Sequence, residues 1–129
     1  MATAAPTRDF TRFSVSPLSP RIGAEIDGVD LSRGLPDETV TEIRQALLTY
    51  KVIFFRDQDL TQEQHIAFAR RFGDLEVHPM TPADQPNPEV FHLTARPGVG
   101  RGANVWHSDV TWREIPSLGS VLRARVMPV

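Results

Sequence analysis

The sequence predicts an α+β fold. Two segments with helical periodicity lie in the first half of the chain, and segments that alternate apolar and polar residues lie mostly in the second half. Helices and strands that are separated along the sequence are typical of α+β domains. The late alternation further indicates a sheet that begins to roll into a sandwich.

The first elements are expected to be short strands. Residues 10–15 lead into a strand that Pro17 and Pro20 interrupt, because proline cannot donate to a sheet ladder. Segment 22–31 alternates apolar and polar residues, and glycine breaks it at two points. This pattern predicts a strand or hairpin edge with a bulge or turn near Asp27 and Gly28.

Two helices and one strand are predicted next. Leu35–Tyr50 is the first helix, since Pro36 in its first turn needs no hydrogen-bonded N–H. The apolar run Val52–Phe55 predicts a core strand covered on both faces. Thr61 and Gln64 predict a capping box that opens the second helix. The expected buried faces are Val40, Ile43, Leu47 and Tyr50 in the first helix and Phe68, Ala69 and Phe72 in the second.

The second half is expected to alternate loops and strands. Segment 74–88 contains four prolines and is predicted to be a loop, the kind of segment in which binding residues concentrate. Strands are predicted at Val90–Thr94, Asn104–Trp112 and Gly119–Met127 from their β-branched, aromatic and alternating residues.

Composition excludes several classes of function. The chain has 129 residues, a typical size for one domain, and a formal net charge of -2. A chain with this net charge has no excess of basic residues with which to bind nucleic acid or a membrane surface. Without cysteine, any metal must be held by His, Asp or Glu. No apolar run is long enough for a membrane span. Residues 1–9 resemble a loose leader rather than a secretory signal. A cytoplasmic protein is therefore expected.

His107 and Asp109 are the candidate metal ligands. Their i, i+2 spacing places both side chains on one face of an extended strand. An imidazole nitrogen and a carboxylate oxygen on one segment can occupy adjacent positions around a metal. With a second histidine, they complete the 2-His-1-carboxylate set of non-haem Fe(II) oxygenases. The alternative for this pair alone is a strand histidine hydrogen-bonded near a surface carboxylate.

Four segments together resemble one known family, the TauD/TfdA-type Fe(II)- and 2-oxoglutarate-dependent dioxygenases. They occur in the family's order and spacing, from about residue 22 to the end of the chain. The segments are IGAEIDGVDL at 22–31, KVIFFRDQ at 51–58, FARRFGDL at 68–75 and WHSDVTW at 106–112.

The resemblance implies a fold and a set of site residues. Residues 1–129 are then the N-terminal portion of a single dioxygenase domain, whose double-stranded β-helix, or jelly-roll, is incomplete in this chain. His107 and Asp109 match two iron ligands and are the catalytic residues, while His78, Asn104 and Val110 match substrate-binding positions. The second histidine ligand and the 2-oxoglutarate-binding residues are expected beyond Val129.

The resemblance also implies cofactor, substrate and reaction. Fe(II), dioxygen and the co-substrate 2-oxoglutarate hydroxylate a small anionic molecule, namely a sulfonate, an alkyl sulfate or an aryloxy-carboxylate, with release of succinate and CO2. Thr81 stands where taurine dioxygenase has a substrate-contacting tyrosine, which argues against taurine itself. The chain alone is expected to be inactive, and homo-oligomer formation is left open.

Two other functions compete with the dioxygenase. One is a non-catalytic binding or assembly module built from the same half-fold. The other is a zinc hydrolase that uses His107 and Asp109, which a third ligand among His65, His78 and His92 would favour. Structural alternatives also exist for two substrate-binding candidates: His78 as a loop histidine that caps a carbonyl, and Asn104 as a turn residue.

Overall fold

The computed structural model describes residues 9–82, 84–94, 107 and 109–126. They belong to two compact units, Met1–Leu75 and Glu76–Val129. Within the described part of the chain, no helix is both long enough and apolar enough to cross a membrane.

The first unit consists of a small mixed sheet and two helices. Its elements are β1 (Ser14–Pro17), β2 (Ala24–Asp27), α1 (Asp37–Tyr50), β3 (Ile53–Phe54) and α2 (Gln62–Arg70). The strand order is β1-β2-β3, with β1 antiparallel and β3 parallel to β2. A parallel pair needs a long crossover, which α1 supplies. The observed elements agree with an α+β fold, although β2, α1 and β3 form one βαβ unit that was not predicted from the sequence.

The turns of the first unit depend on glycines in left-handed conformations. In the β1–β2 hairpin the N–H of Leu18 donates to the carbonyl of Gly23 at 2.9 Å, and Gly23 has a φ of +88°. Gly28 has the same φ and follows β2 directly. This conformation disfavours residues with a Cβ atom. The chain therefore bends at Gly28, where a bulge or turn was predicted.

Both predicted helices are present. α1 begins at Asp37, two residues later than predicted, with Pro36 as its N-cap. The predicted capping box opens α2: the N–H of Thr61 donates to Oε1 of Gln64 at 2.7 Å, and the N–H of Gln64 donates to Oγ1 of Thr61 at 3.2 Å. These two bonds satisfy donors at the helix start that have no partner within the helix.

One apolar core holds the first unit together. Ile43 of α1 is its largest fully buried side chain. The predicted stripe of α1 is confirmed for Val40, Ile43 and Tyr50, with Ala46 in addition. The rings of Phe55, Phe68 and Phe72 meet edge to face, with centroids 5.8 Å and 5.3 Å apart. The core comprises Phe13, Ala24, Ile26, Val29, Leu31, Ile43, Ala46, Tyr50, Leu60 and Phe68.

The prediction of a core strand at Val52–Phe55 is wrong in two respects. Strand β3 contains only Ile53 and Phe54, and it is covered on one face. Ile53 and Phe55 pack against the core, whereas Val52 and Phe54 are exposed. The run is apolar throughout, so its sequence could not show that alternate side chains lie on different faces.

Two glutamine side chains hold the segment after β2 in place. The Gln58 amide accepts from the N–H of Leu31 at 2.8 Å and donates to the carbonyl of Val29 at 3.0 Å. The Gln64 amide, which completes the capping box, also donates to the carbonyl of Ser32 at 2.9 Å. Each amide thus satisfies backbone groups of a segment that has no strand partner.

The described residues of the second unit do not form the predicted strands. Neither strand nor helix occurs among its described residues, which include Val90–Thr94, 109–112 and 119–126. Local hydrogen bonds close turns instead: the N–H of Gln85 donates to the carbonyl of Pro82, and the N–H of Val90 donates to the carbonyl of Asn87. A strand requires a hydrogen-bonded neighbour as well as an alternating sequence, and these segments have none among the described residues.

Glu42 provides a test of stability against pH. Its carboxylate accepts from the hydroxyl of Thr11 at 2.7 Å and from the N–H groups of Thr11 and Arg12 at 3.0 Å and 3.2 Å. The Thr11 hydroxyl is the main cause that lowers the pKa of Glu42 below its ordinary 4.5. A lowered pKa stabilises the fold fully above the unfolded-state pKa, and this stabilisation is lost as pH falls through the folded-state pKa.

We therefore expect Glu42→Gln to lower the unfolding free energy near neutral pH and to match the native protein in acid. Urea denaturation between about pH 3 and pH 7 measures the difference. Asp74→Asn, which alters an exposed carboxylate of the same unit, is the control. A difference that stays constant across this range would contradict the role of the Glu42 carboxylate.

Candidate metal and substrate site

His107 and Asp109 lie side by side in the second unit. Nε2 of His107 is 3.4 Å from Oδ1 of Asp109, and the two side chains are 50% and 70% exposed. The i, i+2 pair is close in space, but its described residues, 107 and 109–112, do not form the predicted strand; residues 104–106 and 108 lie outside the described part of the chain. Val110 has a φ of +47°, and the N–H of Arg113 donates to the Val110 carbonyl at 3.2 Å. A turn therefore follows the two donors.

The two donor atoms suit a divalent metal in chemistry and in spacing. Ligands bound at about 2.1 Å to adjacent octahedral positions lie about 3.0 Å apart, close to the observed 3.4 Å. An imidazole nitrogen with a carboxylate oxygen makes up two thirds of the facial set that holds non-haem Fe(II). Among the described residues, no three His, Asp or Glu side chains cluster within reach of one ion.

His78 is held in a turn by contacts on its backbone and its ring. Its carbonyl accepts from the N–H of Thr81 at 2.8 Å, and its Nδ1 accepts from the N–H of Met80 at 3.2 Å. The ring stacks on Phe91, with centroids 4.4 Å apart and planes 20° apart. Because Nδ1 is an acceptor, the proton of the neutral ring lies on Nε2. The exposed His78 thus has a defined donor for an anion.

The other predicted substrate residues differ in what the structure shows. Val110 is half-buried in the turn after Asp109. Asn104 lies outside the described residues. Thr81, next to the His78 turn, has a buried hydroxyl oxygen without a hydrogen-bond partner in the described part of the chain. A buried hydroxyl in this state is a group that a bound ligand could satisfy.

An ion pair that sequence reasoning missed joins the segment before His78 to the segment after Asp109. Nη1 of Arg113 is 2.5 Å from Oε2 of Glu76. The guanidinium of Arg113 also lies over the Trp112 ring, 5.1 Å from its centroid. The two charged residues are 37 positions apart, so no local spacing could reveal the pair. The exposed Phe91 was likewise assigned only to a strand, although it supports the His78 ring.

The second unit thus holds two donors of the kind that make up the facial set of non-haem Fe(II), and a histidine N–H that can donate to an anion. The family model for the Taurine catabolism dioxygenase TauD, TfdA family matches residues 14–129. The chain therefore belongs to the TauD/TfdA dioxygenase family, as the four sequence segments predicted.

Two curated relatives are each 41% identical to the chain. The alkylsulfatase of Acinetobacter baylyi matches over 112 residues, 86% of this chain and 35% of the relative. The alpha-ketoglutarate-dependent sulfate ester dioxygenase of Pseudomonas putida matches over 115 residues, 88% of this chain and 38% of the relative. The crystal structure of a taurine dioxygenase from Burkholderia xenovorans is 51% identical with a TM-score of 0.51, over 52% of this chain and 25% of that one. The chain thus spans little more than a third of these curated relatives and corresponds to their N-terminal portion.

Proposed function

We propose that this chain supplies metal-binding and substrate-binding residues of an Fe(II)- and 2-oxoglutarate-dependent dioxygenase. The enzyme hydroxylates a small anionic substrate and releases succinate and CO2. The observation that carries the proposal is the 3.4 Å pair of His107 Nε2 and Asp109 Oδ1, which lies within the family match. The name of the sulfate ester dioxygenase, which is alpha-ketoglutarate-dependent, supports the same co-substrate here.

The roles of the two donors follow from their chemistry. His107 would bind Fe(II) as a neutral imidazole through Nε2, and Asp109 as a carboxylate through Oδ1. The iron, when bound with 2-oxoglutarate, supplies the activation of dioxygen that side chains cannot. Because both side chains are at least half exposed, co-substrate and substrate can approach them. The N–H of Arg113 donates to the Val110 carbonyl, and the turn closed by this bond limits the motion of the Asp109 backbone.

The remaining parts of the site are proposed to lie C-terminal to Val129. The chain corresponds to the N-terminal third or so of its relatives. We therefore assign residues 1–129 to the N-terminal portion of one domain of the double-stranded β-helix type. The second histidine ligand and the residues that hold 2-oxoglutarate belong to the rest of this domain.

A sulfate ester is the favoured substrate class, with a sulfonate second. Both 41% identical relatives are named for sulfate esters, whereas the taurine dioxygenase structure matches a smaller part of the chain. His78 Nε2–H is the donor for the sulfate oxygens, because its Nδ1 is committed to Met80. An aryloxy-carboxylate, the remaining class of anion, would use the same donor.

A substrate panel tests this assignment. Protein from the full reading frame is incubated with Fe(II), 2-oxoglutarate and, in turn, an alkyl sulfate, taurine and a phenoxypropionate. Hydroxylation of the carbon bearing the sulfate ester gives an unstable product that separates into aldehyde and sulfate. We expect the alkyl sulfate to stimulate succinate release most, with sulfate formed in equal amount. If none of the anions stimulates succinate release, the substrate class is wrong.

His78→Ala should raise the KM for the anionic substrate roughly tenfold and leave the KM for 2-oxoglutarate within about twofold. The reason is that only the substrate is proposed to contact Nε2–H. His92→Ala is the matched control, since His92 is an exposed histidine of the same unit. Steady-state kinetics with each substrate varied separately measures the effect. Equal changes in both KM values would contradict the assignment of His78.

A further inference from the structure

We propose that Glu76 and Arg113 form a positioning pair that fixes the His78 turn relative to the His107–Asp109 donors. The inference rests on the proposed function and adds two residues to it. Nη1 of Arg113 lies 2.5 Å from Oε2 of Glu76. This contact joins positions 37 apart in the sequence, and each position adjoins a different part of the candidate site.

Each partner is tied to one part of the site by short backbone connections. Glu76 lies two residues before His78, so a fixed Glu76 side chain limits where the turn that carries the imidazole can lie. Arg113 closes the turn after Asp109 with its own N–H, which donates to the Val110 carbonyl at 3.2 Å. The ion pair therefore links the anion donor to the segment of a metal ligand.

The surroundings of the pair favour a fixed geometry. The Arg113 side chain is 29% exposed and that of Glu76 is 45% exposed. Solvent and salt screen this pair less than the more exposed pair of Arg33 with Asp30, whose side chains are 82% and 52% exposed. The guanidinium also lies over the Trp112 ring, 5.1 Å from its centroid, in a cation–π contact. Such a pair contributes more to the relative position of the two segments that it joins than to the overall stability of the protein.

The consequence for the reaction is geometric. A substrate held by its anionic group at His78 must place its reacting carbon at the metal, and small displacements cost rate or affinity. Loss of the ion pair lets the turn that carries His78 shift relative to Asp109. Binding of the anionic substrate weakens, whereas 2-oxoglutarate, which does not contact this turn in the proposed function, binds as before.

Kinetics of the protein from the full reading frame test the pair. Glu76→Gln and Arg113→Gln should each raise the KM for the alkyl sulfate roughly fivefold, with kcat and the KM for 2-oxoglutarate within about twofold. The double reversal Glu76→Arg with Arg113→Glu should recover most of the loss. Arg33→Gln, which breaks an exposed ion pair in the first unit, is the control. Equal losses in kcat and both KM values, without recovery in the double reversal, would overturn the proposal.

A second measurement distinguishes failure of the pair from failure of the metal site. Paramagnetic Co(II) is added to protein labelled at its histidine rings, and broadening of the His78 signals is followed by NMR. We expect broadening in the native protein and clearly less in Glu76→Gln. Equal broadening in both proteins overturns the positioning pair alone. No broadening of any histidine in the native protein overturns the proposed metal site and this inference with it.

Discussion

Alanine at His107 or at Asp109 should lower succinate formation by at least about 100-fold, since changes to groups that merely support metal ligands already cost 10- to 100-fold. Each variant removes one of the two donor atoms that lie 3.4 Å apart. Without one of these two ligands, the protein would lose the iron or hold it in the wrong position for the substrate carbon. Neither change affects the core of the first unit, so folding should be retained.

Succinate assays and iron content, measured on the same preparations, check this prediction. His92→Ala and Asp84→Ala are the matched controls, because they remove an exposed histidine and an exposed aspartate of the same unit. Both controls should keep turnover and bound iron near native values. Native turnover in either His107→Ala or Asp109→Ala would remove that residue from the metal site.

Ile43→Ala should reduce the unfolding free energy by about 2–4 kcal/mol. Ile43 has no exposed surface and is the largest fully buried side chain among the described residues. Alanine at this position removes apolar contacts and leaves a cavity where α1 packs on the core. Leu48→Ala on the same helix is the control, because Leu48 is 53% exposed and alanine is a good helix former.

Urea denaturation followed by circular dichroism measures both variants. The unfolding free energy of Leu48→Ala should lie within about 0.5 kcal/mol of that of the native protein. If Ile43→Ala is no less stable than Leu48→Ala, the packing of α1 on the core is wrong.

Much of the first unit could be predicted because its signals act over a few residues. The Thr61–Gln64 capping box and the α1 stripe are set by spacing of three or four positions. The short β3 and the absence of strands among the described residues of the second unit were not predictable in the same way. A strand depends on which chain segment lies beside it, and an apolar or alternating sequence does not specify that neighbour.

The candidate site, too, could be predicted only where its signals are local in the sequence. The spacing of His107 and Asp109 predicted two adjacent donors, and they are adjacent, although the left-handed Val110 shows that the chain turns instead of continuing as a strand. The contact between Glu76 and Arg113 could not be predicted. It depends on the path of the 36 residues between them, and neither residue belongs to a recognisable pattern.

We have proposed that the chain belongs to an enzyme that couples 2-oxoglutarate oxidation to hydroxylation of an anion. The most direct measurement is succinate release by protein from the full reading frame with an alkyl sulfate, with Fe(II) and dioxygen each supplied or withheld. We predict succinate only when Fe(II), dioxygen and 2-oxoglutarate are all present, with one sulfate released for each succinate. Sulfate release without dioxygen or 2-oxoglutarate, supported by Zn²⁺, would contradict it and assign His107 and Asp109 to a hydrolase.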